Sequence, residues 1–82
     1  MIFSVKPFKY TRHARNRMRL HGITEKEVES AIEKPEHLEC SVEGRLNAWT
    51  KIAERFLRVT YKKERPDDFL VISAVKKRKG WR

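Results

Sequence analysis

An imidazole and a guanidinium four residues apart, His13 and Arg17, are the side chains whose spacing best suits chemistry. Residues i and i+4 are neighbours on a helix. An unperturbed imidazole titrates near pH ~6.5, so it can take or give a proton close to neutrality. A guanidinium stays charged and forks onto a phosphate. On a helical wheel, Ala14, Met18 and Leu20 define the inward side of this segment, with His13 and Arg17 in the arc between Ala14 and Leu20. Arg12, Arg15, Asn16 and Arg19 fall on the far side, toward solvent. A charge in the inward arc needs a partner or a cleft. Two readings stay open. In one, His13 bonds a backbone carbonyl and Arg17 pairs with an acid across the sheet. In the other, the two line a groove that holds a phosphate, with His13 as general acid–base.

Further cations extend the second reading. Arg45 sits in a turn and Arg58 inside a strand, both as phosphate ligands. The run Lys76, Lys77, Arg78, Lys79, followed by Gly80 and Trp81, joins charge for phosphates to a ring for stacking. The plainer alternative is a solvated, frayed terminus. Alternation along the preceding strand puts Lys76 and Arg78 on the face of Leu70, Ile72 and Ala74, and Lys77 and Lys79 on the other. Trp49 and Tyr61 are read as packing residues. His21 ends the first helix, where it favours the helix dipole, and His37 falls in a loop. The histidines and Cys40 match no zinc-ligand spacing, so no metal or cofactor is expected. No glycine-rich phosphate loop, paired-carboxylate site or serine triad occurs, which excludes nucleotide hydrolysis of the P-loop type.

The elements that must position these groups are legible from caps and periodicity. Residues 2–5 read as an edge strand ended near Pro7. Thr11 is an N-cap for a helix running to His21, stopped by Gly22. Thr24 and Glu27 form a capping box for a second helix, in which Val28, Ala31 and Ile32 make a buried stripe. Glu25, Glu29 and Glu33 lie on its opposite face, and Pro35 closes it. The short link Gly22-Ile23-Thr24 makes the two helices a hairpin. Leu38–Val42 and Leu46–Ile52 are strands flanking a turn at Glu43-Gly44-Arg45. Phe56–Tyr61 alternates as a strand, and Arg65-Pro66-Asp67-Asp68 is a turn. Phe69–Val75 is apolar throughout, as in a strand buried on both faces. The expected fold is α+β, ordered β-α-α-β-β-β with room for one more strand, the helical hairpin covering an antiparallel sheet.

Composition bounds the function class. The 82 residues are expected to form one domain, spanning 1–82, with a modest core. The net charge of +9 is unevenly spread. Residues 1–22 carry six cations and no acids, residues 23–44 two cations and seven acids, and residues 45–82 twelve cations and four acids. The acidic segment is expected on one face and the basic segments together on another, where a polyanion, nucleic acid first, is attracted. The single cysteine rules out an internal disulfide and fits a reducing compartment. With no apolar run long enough for a signal peptide or a span of ~20 residues, the expectation is a cytoplasmic protein without a membrane.

Together these residues form a pattern. Tyr10-Thr11-Arg12-His13-Ala14, Arg17-Met18, Gly22-Ile23-Thr24, Val28, Ala31-Ile32 and Pro35 resemble the opening of an uncharacterised prokaryotic domain family. Gly44-Arg45, Leu57-Arg58-Val59-Thr60-Tyr61 and Val71-Ile72-Ser73-Ala74 resemble its later half. That family is similar to the RelE/ParE toxin superfamily and, at Ile72-Ser73-Ala74, to BrnT-type toxins. The resemblance implies a RelE-like fold with a curved sheet and a toxin made beside an antitoxin. It also implies an endoribonuclease that cleaves RNA, ribosome-bound mRNA included, by 2′-hydroxyl attack without a metal. His13 would transfer the proton, with Arg58 and Lys76 as its catalytic companions. Arg17, Arg45, Lys77, Arg78, Lys79 and Trp81 would hold the nucleic acid. BrnT-type toxins carry an arginine where this chain has Val75, and Trp81 cannot replace the C-terminal proton-transferring residue of some RelE-like enzymes. A non-catalytic RNA- or DNA-binding protein and an interaction module for an acidic partner remain the alternative expectations.

Overall fold

The structure is a computed structural model that describes residues 8–65 and 68–80. Thr11 opens the first helix, α1 (Arg12–His21): its Oγ1 accepts from the Ala14 N–H at 3.0 Å and donates to the Ile72 carbonyl at 3.2 Å. One hydroxyl thus caps the helix and ties its start to the sheet. Gly22 ends α1 in the left-handed region, φ 65°. There its N–H donates to the Arg19 carbonyl, the Ile23 N–H donates to the Met18 carbonyl at 2.8 Å, and Met18 and Ile23 are both buried. This is a Schellman turn with its hydrophobic contact. A Cβ at Gly22 would meet nothing within 4 Å, so only the backbone conformation penalises a side chain. Gly22→Ala is therefore expected to cost about 1 kcal/mol and lower the melting temperature by roughly 4–8 °C, read by thermal circular dichroism.

The capping box forms as the sequence predicts. Thr24 Oγ1 accepts from the Glu27 N–H, and Glu27 returns a bond to the Thr24 N–H at 2.9 Å, opening α2 (Glu25–Glu33). Val28, Ala31 and Ile32 are its buried stripe. Two of its acids do not face away. Arg15, exposed as expected, pairs with Glu25 at 2.7 Å and lies over the Tyr10 ring, while the Tyr10 hydroxyl donates to Glu29 at 3.0 Å. Burial, then the bond to Glu29, pushes the Tyr10 hydroxyl far above its ordinary range, so it stays a donor.

Among the described residues five strands complete the order β-α-α-β-β-β-β: β1 (Phe8–Tyr10), β2 (His37–Cys40), β3 (Leu46–Ile52), β4 (Arg55–Arg65) and β5 (Asp68–Lys77). The α+β class and the helical hairpin on a sheet are as expected, and the additional strand is present. Spatially the strands run β1-β5-β4-β3-β2. All pairs are antiparallel except β1 with β5, so the sheet is mixed rather than antiparallel throughout. Among the described residues the edge strand is Phe8–Tyr10, and the predicted strand at 2–5 lies outside them. The link between β2 and β3 is a tight 3-10 turn, Val42–Gly44, with Glu43 and Gly44 at positive φ.

Both helices cover one face. Ala14, Met18, Val28, Ala31 and Ile32 meet Ala48, Leu57, Val59, Tyr61, Val71 and Ala74 in one core. α1 packs mainly on β5, and α2 on β4 and β3. Leu20, predicted to point inward, is 73% exposed. The buried stripe of α1 is narrow, passing through Ala14 and Met18, and Leu20 lies well round the helix from it. Phe69–Val75 is not buried on both faces either: Val71 and Ala74 are fully buried, but Leu70 and Val75 are half-exposed on the face without helices. An irregularity at Thr60/Tyr61 leaves Ile72 unpaired, so Leu70 and Ala74, expected on one face, lie on opposite faces.

Candidate nucleic-acid interface

The register assigns each strand residue to a face. On the helix-free face, His37, Trp49, Arg58 and Val75 form one row across β2, β3, β4 and β5. The next row is Glu39, Asn47, Thr60 and Ser73. Beyond the first row lie Lys51, Phe56 and Lys77; toward the other end Lys62, Leu70 and Lys9 share a row. Arg45, extended at φ −84°, stands one step before Leu46, which packs against the core, so alternation turns Arg45 to the open face.

Arg58 occupies the middle of this surface. Its guanidinium lies 5.8 Å from the Trp49 ring centre, and Trp49 beneath it is only 6% exposed. Its Nε is buried without a hydrogen-bond partner, and no carboxylate of the described residues pairs with it. A half-buried guanidinium with no acid is costly unless an anion arrives from outside. Lys51 repeats the arrangement over Phe56 at 5.9 Å.

The neighbouring row is a hydrogen-bonded chain. Thr60 donates to Asn47 Oδ1 at 2.7 Å, and Asn47 donates to Glu39 Oε2 at 3.2 Å. His37 Nε2 lies 3.4 Å from Glu39 Oε1. The bonds from Asn47, then Trp49, then the nearby His37 hold the Glu39 carboxyl below the usual carboxylate range.

The predicted site residues do not share one groove. His13 and Arg17 are exposed on the outer side of α1, in the helix layer, with Leu20 beside them rather than the core. Arg45 and Arg58 lie on the opposite face of the sheet, so no phosphate contacted by Arg58 is within reach of His13. Lys76 projects to the helix side, opposite Leu57, whereas Lys77 is on the open face opposite Phe56. Arg45 reaches Glu43 at 3.7 Å. Arg78 and Lys79 are exposed past the end of β5, and Trp81 lies outside the described residues. His37, predicted in a loop, opens β2.

Sequence reasoning missed His37, Glu39, Asn47 and Thr60. Their parity within each strand is readable, but which strand lies beside which is not, and the row exists only through the pairing. A separate open cleft of about 390 Å³, between α2 and the end of β3, is lined by Lys26, Glu27, Ser30, Thr50, Lys51 and Ile52. It contains none of the predicted residues. Among the described residues no helix is long and apolar enough to cross a membrane. Neither a curated protein nor a solved structure matches the chain. The family described as a domain of unknown function (DUF4258) matches residues 10–76, most of the chain, and the protein belongs to that family.

Proposed function

We propose that the chain is a RelE-like toxin of the cytoplasm that binds RNA across the open face of its sheet and cleaves it without a metal ion. The observation that carries this is Arg58: central, held over the Trp49 ring, and paired with no acid among the described residues. The rest of the surface supports it. Lys9, Arg45, Lys51, Lys62 and Lys77 surround Arg58, while acids of α2 are engaged in the helix layer by Arg15 and Tyr10. A flat basic surface with rings among its cations suits single-stranded RNA.

Cleavage would follow 2′-hydroxyl attack on the adjacent phosphorus. The 2′-oxygen gives up its proton, the bond to the 5′-oxygen breaks, and that oxygen is protonated as it leaves. The products are a 2′,3′-cyclic phosphate and a 5′-hydroxyl. Arg58 and Lys77 would stabilise the pentavalent phosphorus. On this face the imidazole is His37, steadied by Glu39, and it takes the proton-transfer role in place of His13. An acidic antitoxin would neutralise the toxin by covering the same cations.

The test is naked and ribosome-bound RNA incubated with the protein in EDTA. Arg58→Ala should weaken binding and lose cleavage, His37→Ala should lose cleavage alone, and His13→Ala should change neither. Cleavage that survives Arg58→Ala rejects this site. Binding that falls steeply with salt, with no product and no growth arrest on expression, selects the non-catalytic RNA binder instead.

A further inference from the structure

β2 ends the sheet. It pairs with β3 alone, and among the described residues no strand lies on its outer side. An open edge is usually guarded by lysine, proline or a covering element. His37–Cys40 contains neither lysine nor proline, and α2 packs on β3 and β4 rather than over it. Leu38, in the middle of the strand, is consequently 48% exposed on the helix side.

The ladder fixes which backbone groups point outward. Ser41 N–H donates to the Arg45 carbonyl at 2.8 Å. Hydrogen-bonded pairs alternate in an antiparallel ladder. Glu39 opposite Asn47 and His37 opposite Trp49 therefore direct their backbone groups at β3, and Leu38 turns its N–H and carbonyl away from the sheet.

We propose that two copies of this chain associate through β2, antiparallel, about a two-fold axis at Leu38. Such an axis, perpendicular to the sheet, keeps every side chain on its own face. The outward N–H and carbonyl of each Leu38 then bond those of the other copy, and the two leucine side chains meet on the helix side. On the open face, His37 of each copy stands opposite Glu39 of the other, so the axis generates the complementary pair twice. A register centred on Glu39 would set two carboxylates against each other and present backbone groups already bonded to β3. Complementarity of the backbone and of the side-chain hydrogen bonding thus coincide in one register, which is why the occupant is a second copy. Four residues per chain make a small contact, so the association is transient and rises with concentration.

In a Cys40→Ser background, Leu38→Cys places two thiols across a hydrogen-bonded pair whose Cα atoms are roughly 5.5 Å apart, within disulfide range. Mild oxidation should give a covalent dimer. Sedimentation velocity of the wild-type chain should show mass rising toward a dimer from micromolar to millimolar concentration, and Leu38→Lys should abolish the rise. His37→Glu or Glu39→His alone should weaken it, and the double variant should restore it, with circular dichroism confirming the fold of each. A chain that stays monomeric to millimolar concentration with no cross-link overturns the proposal. So does a dimer that survives Leu38→Lys. Mass and cross-linking read association without RNA, so a monomeric result overturns the dimer and leaves the proposed RNA face standing.

Discussion

Arg58→Glu is expected to weaken RNA binding by roughly tenfold or more at physiological salt, the largest loss from any single surface change. A hydrogen bond between charged groups contributes about 1.5–3 kcal/mol, and each ~1.4 kcal/mol is tenfold in affinity. The substitution also sets a carboxylate where a phosphate must sit. Lys62, Lys77, Arg78 and Lys79 are exposed, so their attraction is screened and their side chains must be ordered on binding. Arg58 is already held over Trp49, so little freedom remains to be lost. The measurement is a salt titration of affinity. Removing one phosphate contact should reduce the slope of log affinity against log salt by about 1. Arg17→Glu, on the outer side of α1, changes net charge equally but should give a smaller loss that fades as salt rises. A larger effect at Arg17 than at Arg58 would move the RNA to the helix layer.

That contrast between two arginines reflects what a sequence encodes locally. The Thr11 cap, the helix stop at Gly22 and the Thr24–Glu27 box each involve residues within six positions of one another, and all three form as predicted. Face assignment on α1 failed because it was inferred from apolar identity: Leu20 was counted as core when the contact with β5 is confined to the Ala14–Met18 stripe. His13 and Arg17, placed by reference to Leu20, went inward with it. In β5 the error came from assuming unbroken alternation. One unpaired residue, Ile72, switches every earlier side chain to the other face. Lys76 keeps company with Ala74 as expected, but Leu70 does not. The parallel partner of β1 is 61 residues away, Phe8 opposite Phe69, beyond any local signal. Arg58 could be singled out as an arginine inside a strand. Its setting of Trp49, His37 and Glu39 required the strand order.

Leu57→Ala should be the most damaging core substitution, and Leu20→Ala nearly silent. Leu57 is fully buried near the start of β4, between Thr50 and Lys76 on its flanking strands and beneath the helices. Truncating a buried leucine costs about 2–5 kcal/mol, because apolar burial is lost and a cavity remains. For a domain of this size that is a melting-temperature drop of roughly 10–30 °C. Leu20 is 73% exposed, so its removal should stay within about ±0.5 kcal/mol. A comparable loss at both positions would contradict the narrow stripe of α1. The net charge of +9 sharpens the outcome, since self-repulsion opposes the compact state. A polyanion that binds only the folded chain should therefore raise the melting temperature of Leu57→Ala. The rescue should disappear when Arg58→Glu is added, which links the packing of the helix-covered face to the charge on the open one.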